Sequence, residues 1–194
     1  MKKHVHLIGI GGSGLSAIAR FLLETGHTVS GSDQCLSPFA QNLVKAGIQI
    51  FVGHKAENIQ GADVIIRSSA IPDTNPEVIA ARQAGIPVMK RSEYLGDLMA
   101  KQTRIAIAGT HGKTTTTAML AWTLVALGMD PSFIIGGVSK NLGTNAHAST
   151  GSTFVIEADE FDRMFMGLKP DIIVLTSMEY DHPDCFPTPE AYQQ

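Results

Sequence analysis

Three stretches of this sequence carry residues whose types and spacing could do chemistry. The first is Gly109-Thr110-His111-Gly112-Lys113-Thr114-Thr115, which follows an apolar run at 105–108 and precedes a helical pattern over 114–127. A strand, a glycine turn and a helix N-terminus make a phosphate cradle: the first-turn N–H groups have no intrahelical partner, and the helix dipole adds partial positive charge. Lys113 adds a full charge for the outer phosphates, and the Thr114 hydroxyl is a ligand for Mg²⁺. The pattern departs from the usual phosphate-loop spacing, which wants glycine where Ile107 stands. Four consecutive threonines after Lys113 are poor helix formers, so propensity does not explain them and anion binding does.

The second stretch is Glu157-Ala-Asp159-Glu160-Phe-Asp162, four acids in six residues at the end of an apolar run. Like charges this close repel unless they are solvated or neutralised. The readings are a solvated acidic turn or a divalent cation, and oxygen ligands beside phosphates suit Mg²⁺. The third is Gly9-Ile-Gly11-Gly12-Ser13-Gly14 after a strand at 4–10, with Asp33 about 20 residues on. Gly9, Gly11 and Gly14 satisfy the dinucleotide fingerprint, with Asp33 where an acid often meets a ribose hydroxyl; alone, this suggests NAD or FAD.

The elements that must position these residues alternate regularly. Strands are predicted at 4–10, 28–32, 48–52, 62–67 and 86–89, with helices at 15–24, 36–46 and 75–84 between them. Such alternation implies a parallel sheet covered on both faces, with ligands beyond the carboxyl ends of its strands. Gly11 to Gly14, Asp33, Gly53-His54 and Ser68-Ser69 all fall at those ends, so one ligand can touch all four loops. A helix over 91–101 links this half to the second. There a strand at 105–108, a helix, a strand at 133–137, a polar loop over 138–152, a strand at 153–157 and a buried strand at 171–175 are predicted.

The 194 residues have room for one large or two small domains. With 44% hydrophobic and 17% charged residues and a net charge of −3, the composition is that of a globular protein without a basic nucleic-acid surface. No apolar run reaches the ~18 residues of a membrane span, and the N-terminal run is too short for a signal peptide. Cys35 and Cys185 are far apart, which fits a reducing cytoplasm.

The stretch GTHGKTTTT resembles the ATP loop of the Mur ligases, which add amino acids to UDP-N-acetylmuramate in peptidoglycan synthesis; the histidine resembles the branch that attaches L-alanine or a murein peptide. GIGGSG, SGSD, GH, SSAI and NPE resemble that family's N-terminal domain, and IGG with GTNA, EADE, and Glu179-Tyr-Asp181-His182-Pro-Asp184 resemble its central domain. The resemblance implies an α/β protein: a Rossmann-like, UDP-sugar-binding domain over 1–101, then the first part of a phosphate-loop ATPase domain over 102–194. It also implies that a C-terminal, amino-acid-binding domain lies outside these residues, which alone would catalyse nothing.

By the same resemblance, Gly9, Gly11, Gly12, Ser13, Gly14, Asp33, His54, Ser68 and Ser69 hold the UDP-sugar rather than NAD. Gly109, Thr110, His111, Gly112, Lys113, Thr114 and Thr115 hold ATP. Thr114, Glu157 and His182 hold magnesium, and Lys113, His111 and Glu157 take part in catalysis. The implied reaction is ATP-driven amide formation through an acyl phosphate. The acceptor is L-alanine or, alternatively, L-alanyl-γ-D-glutamyl-diaminopimelate: GTNA favours the first, while Phe161 in place of serine is closer to the second. Ser177 replaces the asparagine usual at the start of the His182 signature. A dehydrogenase would leave the second glycine loop and its acids unexplained; a non-catalytic nucleotide-binding module is the other alternative.

Overall fold

The computed structural model describes residues 2–159, 165–180, 186–188 and 190, and only the backbone of Asp97. Expectations for His182, Glu160, Phe161 and Asp162 lie outside the described residues. The chain divides into two compact units, Met1–Tyr94 and Leu95–Gln194.

In the first unit, β1 (His4–Ile8), β2 (Thr28–Asp33), β3 (Gln49–Val52), β4 (Val64–Arg67) and β5 (Val88–Lys90) form one sheet in the order β3-β2-β1-β4-β5. Every pairing is parallel. The crossovers are α1 (Ser13–Glu24), α2 (Pro38–Lys45), a 3-10 turn (Ala56–Ile59) and α3 (Pro76–Gln83). This is the doubly wound order, and the direction of winding reverses between β1 and β4. Ser37 caps α2 by accepting from Ala40 N–H at 3.1 Å, and Asn75 caps α3 by accepting from Glu77 N–H at 2.9 Å. Proline follows each cap, where a missing N–H costs nothing.

The two faces of this sheet differ in chemistry. Ile8, Ile65, Val78 and Ala81 form an apolar core between the strands and α3. Farther along the same face β1 is not apolar: His6 is fully buried and lies in register with Ser30, and Ile8 lies in register with Ser32. Gly31, between the two serines, points the other way. A Cβ there would stand 2.6 Å from Ile10 Cδ1 and from Leu7 O, so the glycine lets the first glycine loop fold back over β2.

In the second unit, β6 (Thr103–Ala108), β7 (Ser132–Ile134), β8 (Ala146–His147), β9 (Thr153–Glu157) and β10 (Ile172–Leu175) form a sheet in the order β10-β6-β9-β7-β8. All pairs are parallel except β7 with β8. The polar stretch 138–152 thus contains a short strand. The α5 helix (Lys113–Ala126) closes Ile107, Ala121, Phe133, Ile135 and Val155 into a core. The helix α4 (Arg91–Leu98), expected to link the halves, contains the point at which the chain divides.

One strand differs from expectation in its surroundings. β10 was predicted to be buried, yet all four of its residues are exposed. Among the described residues it is the edge of the sheet, paired with β6 alone, and an apolar run does not reveal whether a layer covers it. Its start is pinned electrostatically instead: Asp171 takes Arg104 Nε at 3.0 Å, Nη2 at 2.8 Å and the backbone N–H at 2.8 Å. Those bonds hold the Asp171 carboxyl down at a pKa of about 2.

Candidate functional site

The second glycine loop is built by β6, the start of α5 and the end of β10. Gly109 has φ 129°, and a Cβ on it would lie 2.8 Å from Ser177 O, so the residue is glycine on both backbone and spatial grounds. The loop is tied down throughout. Thr110 N–H donates to Ser177 O at 3.1 Å, His111 N–H to Ser177 Oγ at 3.0 Å, and Thr110 Oγ1 to Glu179 O at 2.7 Å. Gly112, at φ 81°, is the N-cap of α5 and supplies no side-chain acceptor. The first-turn N–H groups are therefore not claimed by a cap, as anion binding requires.

Lys113 Nζ lies over this loop and donates to Gly109 O at 2.7 Å and Thr110 O at 3.3 Å. The Thr114 hydroxyl donates to Glu157 Oε1 at 2.9 Å, and Glu157 Oε2 accepts from Gly136 N–H at 2.7 Å. A Cβ on Gly136 would meet that carboxylate at 2.6 Å, so the glycine after β7 is what allows Glu157 to lie flat on the backbone. A hydroxyl and a carboxylate in contact at a phosphate loop are hard oxygen donors, and this pair fits Mg²⁺. Beside them a cavity of about 490 Å³ is lined by Thr114, Thr115, Trp122, Val138, Lys140 and Asn141. The His111 side chain stands out from the loop, 71% exposed, with Nε2 3.9 Å from Glu179 Oε2.

In the first unit the glycine loop sits at the winding reversal. Gly9 N–H and Ile10 N–H both donate to Ser32 O, at 2.8 and 3.1 Å, and Gly9 has φ 86°. Asp33 is engaged with the loop itself. Its Oδ2 accepts from Gly11 N–H at 2.8 Å and its Oδ1 from Gln34 N–H at 2.7 Å, so it fixes the loop. A Cβ on Gly11 would press on that carboxylate and on Ser37 Oγ, at 2.8 and 3.1 Å. Gly12 caps α1 without a side-chain acceptor, again leaving the helix start to an anion. Gly14 has no unusual φ; a Cβ there would collide with the Arg91 guanidinium, which lies across its Cα. His54 Nδ1 is 3.1 Å from Ser32 Oγ, and Ser68 N–H donates to Ile8 O at 3.0 Å. Ser69, next in the chain, is partly buried at the end of β4.

The description "Mur ligase family, catalytic domain" matches residues 4–103, and "Mur ligase middle domain" matches residues 107–194. The chain belongs to the Mur ligase family. It is 47% identical over 184 residues to a UDP-N-acetylmuramate–L-alanine ligase of Bordetella avium, covering 95% of this chain and 39% of that protein. It is 49% identical over 189 residues to the Chlorobium phaeovibrioides protein of the same name, covering 97% of this chain and 40% of that one. Among solved structures, the UDP-N-acetylmuramate–alanine ligase of Thermotoga maritima superimposes with a TM-score of 0.92 at 34% identity, covering 98% of this chain and 45% of that one. The Neisseria UDP-N-acetylmuramate:L-alanyl-γ-D-glutamyl-meso-diaminopimelate ligase gives 0.92 at 34%, covering 100% and 66%. This Mur ligase chain thus spans about two-fifths of the length of the curated relatives it matches.

Two residues of this Mur ligase chain escape a reading of the sequence. Glu77 follows an Asn cap and a proline and so looks like an acid placed for the helix dipole, yet it is fully buried. Arg91 reads as the charged start of a helix, yet it packs on the first glycine loop. Ser177, where the family resemblance leads one to expect asparagine, holds the second loop through both its carbonyl and its hydroxyl.

Proposed function

We propose that the chain supplies the UDP-sugar site and the phosphate loop of an ATP-dependent ligase that joins L-alanine to UDP-N-acetylmuramate. What carries the reading is the identity of 47–49% to ligases of that name over 95–97% of this chain. The murein-peptide alternative rests on a structural likeness at 34% identity. Residues 1–101 take the uridine nucleotide and residues 102–194 the ATP.

The glycine loop at Gly9 to Gly14 and the start of α1 receive the diphosphate, with Ser13 at the helix start and Arg91 bringing positive charge beside Gly14. Asp33, His54, Ser68 and Ser69 line the neighbouring strand ends. In the second unit, Gly109, Thr110, His111, Gly112 and the first turn of α5, through Thr115, hold the phosphates of ATP. Lys113 turns from the loop carbonyls to the γ-phosphate, where charge redistributes as the phosphoryl group leaves. Thr114 and Glu157 would hold Mg²⁺, which neutralises phosphate charge when bound.

The muramate carboxylate attacks the γ-phosphorus and ADP leaves, giving an acyl phosphate. The amine of the amino acid then attacks the acyl carbon, phosphate leaves and the amine loses a proton. Exposed His111 is placed to meet a phosphate or the carboxylate. The test is phosphate release by the full-length protein with ATP, UDP-N-acetylmuramate and either L-alanine or the tripeptide. Release that needs UDP-N-acetylmuramate and L-alanine supports the reading. Release with the tripeptide alone assigns the murein-peptide alternative.

A further inference from the structure

Glu77 is wholly excluded from solvent, and both of its oxygens are engaged. Oε1 accepts from Asn58 Nδ2 at 2.6 Å and from Lys55 N–H at 3.2 Å; Oε2 accepts from Ser32 Oγ at 2.6 Å and lies 3.3 Å from His6 Nε2. Burial pushes such a carboxyl up, but the bonds from His6, Ser32 and Asn58 outweigh it and hold Glu77 below its ordinary range. Two acceptor oxygens are what this site uses; a glutamine in the same place would bring a donor to one of these contacts.

Counting hydrogens then places one on His54 Nδ1. The single hydrogen of Ser32 Oγ goes to Glu77, because an ionised carboxylate only accepts. The same oxygen lies 3.1 Å from His54 Nδ1, so the hydrogen of that contact comes from the imidazole. Glu77 Oε1, 3.7 Å from Nδ1, favours the proton there electrostatically. In its neutral form His54 therefore carries its proton on Nδ1. Its Nε2 is an acceptor with no hydrogen bond from any described residue.

The strand order says what part of a nucleotide meets that acceptor. With the diphosphate on the β1 loop and the ribose at the end of β2, the base reaches the end of β3, where His54 stands. Uracil presents an imide N–H at N3, and cytosine presents a bare N3 acceptor. We propose that Glu77, acting through Ser32, is a positioning residue that sets His54 as an acceptor for the uracil imide and so selects uridine over cytidine nucleotides. The inference rests on the uridine-diphosphate reading of this site. His54 is only 12% exposed, so water does not readily replace a mismatched partner and the wrong base leaves two acceptors opposed.

The experiment is calorimetry of the 194-residue chain with UDP, CDP and pyrophosphate, together with long-range ¹H–¹⁵N spectra of His54. The wild type should bind UDP about 10- to 100-fold more tightly than CDP, the discrimination expected of one mispaired buried group, and carry the His54 proton on Nδ1. Glu77→Gln should bring the UDP/CDP ratio to within about threefold and shift the proton towards Nε2, and Ser32→Ala, which removes the link between Glu77 and His54, should narrow the ratio to a similar degree. Should Glu77→Gln unfold, Ser32→Ala still leaves Glu77 bonded to Asn58, Lys55 and His6. A purely structural Glu77 would weaken both nucleotides equally and leave the ratio unchanged, which overturns the proposal. A wild-type proton on Nε2, or equal wild-type affinities, overturns it as well while UDP binding keeps the uridine reading intact. If none of the three probes binds, both readings fall together.

Discussion

The Thr114 hydroxyl and Glu157 Oε1 meet at 2.9 Å across 43 residues of sequence, at the point where the helix after the phosphate loop passes the end of β9. One comes from the start of α5 and the other from the end of the neighbouring strand, so the pair exists only when β6 and β9 are in register, as they are from Thr103 with Thr153 to Ile107 with Glu157. Glu157 is turned towards the loop because Gly136 leaves room for it and donates to it.

If this pair is the magnesium site, Glu157→Gln should weaken magnesium-dependent ATP binding by about tenfold or more, since a neutral amide loses the charge that attracts the cation. Binding without magnesium should change little. Calorimetry of the 194-residue chain in the presence and absence of Mg²⁺ makes the comparison; equal losses in both conditions would remove Glu157 from the metal site.

Lys113→Ala in the full-length protein should lower kcat by about 100-fold or more and leave UDP-N-acetylmuramate binding unchanged. In the proposed site the lysine turns from the Gly109 carbonyl to the phosphate whose charge is redistributed in the transition state, so its loss should act on the chemical step. A change of less than about tenfold in kcat would place Lys113 outside the reaction.

Gly14→Ala should reduce UDP affinity with little loss of stability, because its Cβ meets only the far end of Arg91, a flexible side chain that can move aside. Gly14→Ala and Arg91→Ala act on the same guanidinium, so Gly14→Ala should add little further loss of affinity once Arg91→Ala is in place. Arg91→Ala alone should weaken UDP binding, more at low ionic strength than at high, because it removes a cation beside the diphosphate. Thermal melts and titrations at two salt concentrations test both halves; salt-independent loss would argue against a phosphate contact.

Asp171 sets an acid limit on the second unit. Its folded pKa, about 2, lies below the ordinary 3.8, so its contribution is complete above about pH 4 and disappears as pH falls through about 2. Asp171→Asn should therefore lower Tm by a constant amount above pH 4, and the gap to the wild type should narrow on acidification. A gap that does not change between pH 6 and pH 2.5 would show that the Arg104–Asp171 bonds contribute nothing.

Much of the fold can be read in the chain because it is written at short range. Pro76 after Asn75, a positive-φ glycine two residues beyond α1, α2, α3 and α5, and the alternation of strand and helix are local facts, and their physical causes act within a turn or two. The two glycine loops are of the same kind, since positive φ at Gly9, Gly109 and Gly112 is a property of one residue and its neighbours. Other features depend on residues far apart. The exposure of β10 depends on what packs over its two faces, which its own apolar residues do not report. Asp33 holds a loop 22 residues away, and Arg91 lies over Gly14 after four crossovers. Glu77 reaches His6 across 71 residues, Ser32 across 45 and Asn58 across 19. Glu77's immediate neighbours are those of an ordinary helix cap. Its burial and its bonds to His6 and Ser32 arise only when α3 closes over β1 and β2, because hydrogen bonds are counted in space and not along the chain.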